Sequence, residues 1–453
     1  MIKIQIVNNI WSRLISGREE ISKYLSYTQT IWIKSHWGRT KKTYRKSLIT
    51  KHNYFLTGFI PELKKRFDEV QISGEITSHL KRKPIFEFNG FRLREDQINS
   101  ILTAIQNHRG ILKAPTGSGK TLIAGGLIHC IPNVRCIFLV HSKSLFSQAL
   151  NDFGNYFVGE EIGWFGAGLK PNFQRVTVAM INSLSKLNKS ELKIIDKKFD
   201  MFIVDESHHC ISNSYYYVLS HFNQYYRFGM SATPKDEDDQ EKEYKRVIGL
   251  IGSIIYDTKI TDIPSILAKP VCYMIHYNQN FHLSNLDWKN AYREGIVRNM
   301  IRNSALQRYI IDHPKESILI TVKLKEQGEI LANMIPGAVL IFGKDSMKIR
   351  DEIKSLLNLK KTRVVISTVF GEGVNIPELN TIIKAEAGLS KIRTVQAAGR
   401  SMRKTNTKSI GIVVDFVDED NRYLMKHYLA RLRTYQKNGF EIRNLRYKDE
   451  IFC

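Results

Sequence analysis

The chain has 453 residues, of which 43% are hydrophobic and 25% charged, and its formal net charge is +24. That length exceeds one ordinary core, so two or three domains are expected in a soluble globular protein. The five cysteines are odd in number and scattered, which argues against a secreted disulfide framework, and no stretch approaches the roughly 20 apolar residues of a membrane span.

The opening "MIKIQIVNNIWSRL" lacks the long apolar centre of a signal peptide, so a cytoplasmic protein with reduced thiols is expected, in the host cytoplasm if the chain is phage-encoded. Residues 1–88 form the first expected domain, a small α+β module. No acid occurs between Ile21 and Pro61, whereas Lys34, Arg39, Lys41, Lys42, Arg45, Lys46 and Lys51 gather with Trp32, Trp37 and Tyr44. Cations meet phosphates and rings stack on bases, so Trp37, Arg39, Lys41, Lys42, Arg45 and Lys46 are candidate DNA contacts. A module with core tryptophans and merely solvated lysines fits the same composition.

From about residue 110, short runs rich in Val, Ile and Phe alternate with segments of helical period. "RCIFLV", "VTVAMI", "MFIVDE" and "RFGMSAT" predict strands; "TLIAGGLIHCI", "KSLFSQALNDFGNYF" and "INSLSKLNKSELKII" predict helices. Strands that are apolar at consecutive positions are buried on both faces, which requires a parallel sheet with helical crossovers. The rhythm pauses between about 236 and 300 and returns with "SILITV", "AVLIFG", "TRVVIST", "TIIKAEA" and "SIGIVVDF". Two α/β domains in tandem follow, at 89–262 and 300–453, the second with a helical tail and with 263–299 as a linker.

"APTGSGKT", Ala114 to Thr121, follows a short strand and opens a helix. The amides of Ala114, Pro115, Thr116, Gly117, Ser118 and Gly119, where present, and of the helix N-terminus would cradle phosphates. Lys120 would reach the β- and γ-phosphates and the Thr121 hydroxyl would bind Mg²⁺. Ala114 stands where the strict pattern has glycine. About 85 residues downstream, "FIVDE" ends a strand in two carboxylates. Asp205 would hold Mg²⁺ and Glu206 would polarise the attacking water; the metal and Lys120 would relieve the repulsion between the two acids. ATP and Mg²⁺ are the expected cofactors.

"DESH" (205–208), "SATP" (231–234) and "QAAGRSMR" (396–403) together resemble superfamily-two helicases of the DExH type. The short length and basic N-terminal extension resemble phage recombination and branch-migration helicases of the UvsW-like group. The resemblance implies two tandem RecA-like domains in an α/β fold. It implies that Gln97 reads adenine with Arg94 nearby, and that Ser142, Lys143 and Thr368 touch the nucleic-acid backbone. Met180 occupies a place where threonine is usual. Ser231, Ala232 and Thr233 would couple nucleotide state to domain closure, with His208 linking the water site to Gln396. Gly373 and Asn375 would approach the nucleotide, Asn375 replacing the common aspartate. Gln396, Arg400 and Arg403 would face the nucleotide from the second domain, where fixed guanidinium charge stabilises transferring phosphate. His209 is expected as a packed neighbour with no role.

The expected function is an ATP-dependent DNA helicase or translocase on branched, forked or duplex DNA, acting as a monomer. The motifs do not separate DNA from RNA, nor strand separation from duplex translocation. A scaffold using ATP only as a clamp would not need the full set of acids and arginines.

Overall fold

The computed structural model describes residues 1–35, 38–75, 77–78, 80–232, 241–259, 269–277, 283–369, 376, 378–388 and 410–447. The chain divides into two compact units, and the main boundary follows Thr258.

The first unit opens with β1 (Ile2–Ile6) and β2 (Trp11–Ser16). The chain then runs out and back as a separate hairpin of β3 (Ser26–Ser35) and β4 (Gly38–Ser47), and returns in β5 (Tyr54–Leu56) and β6 (Val70–Ser73). The small sheet has the order β5-β2-β1-β6. In β1, Ile2 and Ile4 point into the core while Lys3 and Gln5 face solvent, the period of two expected for a half-buried strand. This small core is continuous with that of the following domain: Ile4, Leu14, Phe55 and Phe59 join Val247, Ile248 and Ile251 in one cluster. Two glycines permit the approach. A Cβ on Gly58 would lie 2.2 Å from the Ile248 carbonyl oxygen, and one on Gly249 would lie 2.7 Å from Leu56 Cδ1.

A short hairpin, β7 (Glu87–Phe88) and β8 (Phe91–Arg92), leads into the large sheet. Its strands are β9 (Arg109–Lys113), β10 (Cys136–Val140), β11 (Gly163–Gly166), β12 (Leu169–Asn172), β13 (Val176–Met180), β14 (Met201–Asp205), β15 (Tyr226–Ser231) and β16 (Ile254–Asp257). The order is β12-β11-β13-β10-β14-β15-β9-β16. Every neighbouring pair is parallel except β11 with β12. Every residue of β10 and β13 is buried, as continuous apolar runs demand. The helix expected over 181–195 is two helices, Ile181–Leu184 and Lys189–Asp196. Asn188 divides them: its side chain accepts from Ser190 N and Glu191 N, and Glu191 accepts from Asn188 N at 2.8 Å. A residue that caps so well starts a new helix.

The second unit holds β17 (Lys269–His276), β18 (Ile318–Thr321), β19 (Val339–Ile341), β20 (Val364–Ser367), β21 (Thr381–Lys384), β22 (Ile410–Phe416) and β23 (Glu441–Arg446). They form one parallel sheet in the order β19-β20-β18-β21-β22-β17-β23. β17 falls inside the stretch expected as a linker. It pairs with β22 from Lys269↔Ile410 to Ile275↔Phe416, so this strand belongs to the sheet. The tail is a helix, Arg422–Lys437, followed by the edge strand β23.

A fully buried ionic lattice ties the C-terminal ends of β21 and β22 to two helices. Arg302 Nε donates to Asp418 at 2.8 Å, and Arg431 donates to Asp415 at 2.8 Å and to Asp418 at 3.2 Å. The Tyr277 and Tyr435 hydroxyls complete it, on Asp418 and Asp415. Such lattices cost desolvation and return geometry. Among the described residues, Cys130, Cys136, Cys210 and Cys272 are free, buried thiols. No described helix is long and apolar enough to cross a membrane.

Candidate active site

The strands β9, β14 and β15 are neighbours, and their C-terminal ends bring the predicted nucleotide residues together. β9 runs into the loop Ala114–Gly119, which opens the helix Lys120–His129. Gly117 and Gly119 both have φ of +86°, a left-handed conformation that only glycine adopts cheaply. The Ala114 amide donates to the Ser231 carbonyl at 3.1 Å, fixing the start of the loop to the end of β15. The free amides of the helix's first turn, with their positive dipole end, make an anion seat.

β14 delivers Asp205, and the chain then turns sharply. Glu206 has φ of +49° and ψ of 56°, costing about 1–2 kcal/mol for a residue with a Cβ. The turn aims its carboxylate inward. Glu206 Oε1 lies 3.6 Å from Lys120 Nζ, and Oε2 lies 3.4 Å from His208 Nδ1. The Glu206 amide meanwhile donates to Asp205 Oδ1 at 2.9 Å. His208 Nδ1 is also 3.1 Å from Ser231 Oγ. A chain of contacts therefore runs from Lys120 through Glu206 and His208 to the predicted coupling strand. Gly229 makes room for it, since a Cβ there would meet Ser207 Cβ at 2.7 Å.

The two adjacent carboxylates are driven apart electrostatically. Burial and the neighbouring Glu206 push Asp205 up to about 6, against the pull of Lys120. For Glu206, burial also disfavours the charge, but Lys120 and His208 outweigh it and hold the group well below the ordinary range. Different environments for neighbouring acids are how one site separates their roles. The two candidate donors, the Asp205 carboxylate and the Thr121 hydroxyl at the start of the helix, are both oxygen, which suits a hard cation such as Mg²⁺. Among the described residues, no group of three or more His, Cys, Asp or Glu is placed to hold a metal alone. That donor set fits a cation that takes most of its ligands from phosphate and water.

Gln97 is buried against the same loop. Its Nε2 would lie 2.8 Å from a Cβ on Gly119, and its Oε1 accepts from Arg94 N at 3.1 Å. The Arg94 guanidinium grips Asp96 with two hydrogen bonds, of 2.9 and 3.0 Å. Ser142 lies beyond β10, where its hydroxyl accepts from Leu145 N at 3.3 Å and caps the helix beginning at Lys143. Met180 ends β13 and is buried. Thr368 follows β20 in the second unit, its amide on the Ile341 carbonyl at 3.3 Å. Lys42, Arg45 and Lys46 are exposed on β4. Arg39 and Lys41 have described backbones in β4, but their side chains lie outside the described set, as do Trp37, Thr233, Gly373, Asn375, Gln396, Arg400 and Arg403 altogether.

Sequence reasoning gave His141 and Gly229 no part. The His141 ring packs on His209 at 4.2 Å between centroids, and His209 packs on His208 at the same distance. His209 is thus the packed neighbour expected. The signal for Gly229 was a glycine inside a strand, which marks a place of close approach, here by the Ser207 side chain.

Residues 90–236 match the family described as type III restriction enzyme, res subunit, and residues 302–405 match the helicase conserved C-terminal domain. The chain belongs to superfamily two of the helicases. It is 23% identical over 381 residues to the ATP-dependent DNA helicase uvsW of Enterobacteria phage T4, covering 76% of this chain and 75% of that one. It is 27% identical over 368 residues to helicase 22 of Sulfolobus islandicus filamentous virus, covering 73% of this chain and 65%, under two thirds, of that relative's length. The fold is similar to that of Mycobacterium smegmatis helicase Lhr, solved with ssDNA and AMP-PNP, with a TM-score of 0.56 and 18% identity over 77% of this chain and 49% of that one. Both α/β units are the tandem RecA-like sheets of this superfamily.

Proposed function

We propose that this helicase-family chain hydrolyses ATP to translocate on DNA and act at branched or forked duplexes. The observation that carries the reading is the convergence of Lys120, Asp205 and Glu206 at one sheet edge, with His208 bridging Glu206 to Ser231. Lys120 binds the β- and γ-phosphates over the helix N-terminus. Glu206, kept ionised by Lys120 and His208, orients a water and accepts its proton. Thr121 and Asp205 would hold Mg²⁺, which when bound neutralises phosphate charge. Gln97, buried beside Gly119 of the loop, would read the adenine base. The second unit, β17 included, supplies the second lobe, with Gln396, Arg400 and Arg403 sensing the γ-phosphate. His208 reports the state of the water site to Ser231, and Ser142, Lys143 and Thr368 hold the DNA backbone. The T4 relative's name as a DNA helicase supports DNA over RNA as the track.

The test compares ATP turnover with plain duplex DNA, forked DNA, single-stranded DNA and RNA, beside unwinding of the forked substrate. Turnover stimulated by DNA and lost in Lys120→Ala is expected. Stimulation by RNA alone, or undiminished turnover in Lys120→Ala, overturns the reading.

A further inference from the structure

The hairpin of β3 and β4 pairs with no other strand among the described residues. Its register runs unbroken from Ser26↔Ser47 to Ser35↔Gly38. Ten residues at about 3.3 Å each make a ribbon roughly 33 Å long. Its base is anchored. Leu48 N donates to Leu25 O at 2.7 Å, Arg45 Nε donates to Ser26 Oγ at 2.9 Å, and Lys245 Nζ donates to the Tyr24 and Ser26 carbonyls at 2.7 and 3.1 Å. Along β4, Thr40 and Lys42 through Ser47 are exposed. A two-stranded ribbon with both edges free is marginal in water by itself.

The register distributes its cations. Along β4, Lys42, Tyr44 and Lys46 lie on one face and Thr43, Arg45 and Ser47 on the other. No carboxylate occurs anywhere between Ile21 and Pro61. A surface that tracks a single strand concentrates cations and rings on one side. Cations on both faces instead match a partner with phosphates on both sides. B-DNA offers this in its major groove, about 12 Å wide, which admits a two-stranded ribbon. The deep, narrow major groove of an RNA duplex does not admit it.

Resting on the DNA reading above, we propose that the β3–β4 ribbon enters the major groove of duplex DNA, with Lys42 and Lys46 toward one phosphate backbone and Arg45 toward the other. The ribbon thereby holds double-stranded DNA beside the motor, independently of the loops that grip the translocated strand.

The experiment measures binding of the full-length chain by fluorescence anisotropy across a salt series, with plain DNA duplex, a fork, single-stranded DNA and RNA duplex. The variants are Lys42→Ala with Lys46→Ala, Arg45→Gln, and all three together; glutamine keeps a donor for Ser26. Each lost phosphate contact lowers the slope of log K against log salt by about 0.9 on duplex DNA. Slopes reduced by about 1.8, 0.9 and 2.7 are expected on duplex DNA, with no change on single-stranded DNA or RNA duplex. Unchanged duplex slopes, a loss from one face only, an equal loss on RNA duplex, or a loss on forks without one on plain duplex overturns the proposal. The two readings fail separately. Wild-type protein whose ATP turnover ignores DNA overturns the motor reading, whereas DNA-stimulated wild type with unchanged variant slopes overturns only the ribbon.

Discussion

Replacing Asp205 by asparagine should make the nucleotide-free protein more stable while weakening its response to Mg²⁺ and ATP. Burial, with the charge of Glu206, raises the Asp205 carboxyl from 3.8 to about 6. The folded state therefore holds this proton more tightly than the unfolded chain does. Ionising Asp205 costs the fold nothing below about pH 4, a rising amount between about 4 and 6, and its full amount above about 6. Linkage sets that full amount at about 3 kcal/mol. Asp205 keeps part of its surface exposed, so solvent screening brings the expected gain to about 1–3 kcal/mol. Asparagine has no charge to bury, so Asp205→Asn should raise the melting temperature by roughly 3–8 °C in EDTA at pH 7.5. At pH 5 the gain should fall to about half. Adding Mg²⁺ with a non-hydrolysable ATP analogue should raise the wild-type melting temperature by more than the variant's. A variant that melts at or below wild type at pH 7.5 without nucleotide, or a gap that does not narrow at pH 5, would refute the reasoning.

Glu206→Gln keeps the size of the side chain and loses the proton acceptor, so kcat should fall by about 10²–10⁴-fold while filter binding shows nucleotide still held. Gly58→Ala places a methyl group against the Ile248 carbonyl oxygen and should cost about 1–3 kcal/mol in urea unfolding. Equal stability would mean that the N-terminal module sits loosely. Arg431→Met leaves Asp415 and Asp418 buried without their shared cation, and a loss of about 3–5 kcal/mol is expected from the same unfolding measurement.

Strands β9, β10, β13 to β15 and β18 to β22 were legible because burial on two faces leaves a continuous apolar run, visible in "RCIFLV" and "VTVAMI" without knowledge of any partner. The candidate nucleotide residues stood out in the sequence for a related reason. A phosphate cradle needs glycine at fixed offsets before a lysine, and a metal site needs a carboxylate where a parallel strand ends. Neither requirement depends on distant parts of the chain. Other features exist only through contacts between distant segments. β17 reads as part of the pause between about 236 and 300, and it becomes a strand because β22 and β23 flank it. The bridge from Glu206 through His208 to Ser231 requires β14 beside β15, and that neighbourhood is a property of sheet order. Nothing in the local sequence singles out Gly58 or Gly249. Only the packing of the N-terminal sheet on the helix Glu241–Leu250 shows that neither position has room for a methyl group, because close approach between segments so far apart in the chain leaves no local pattern.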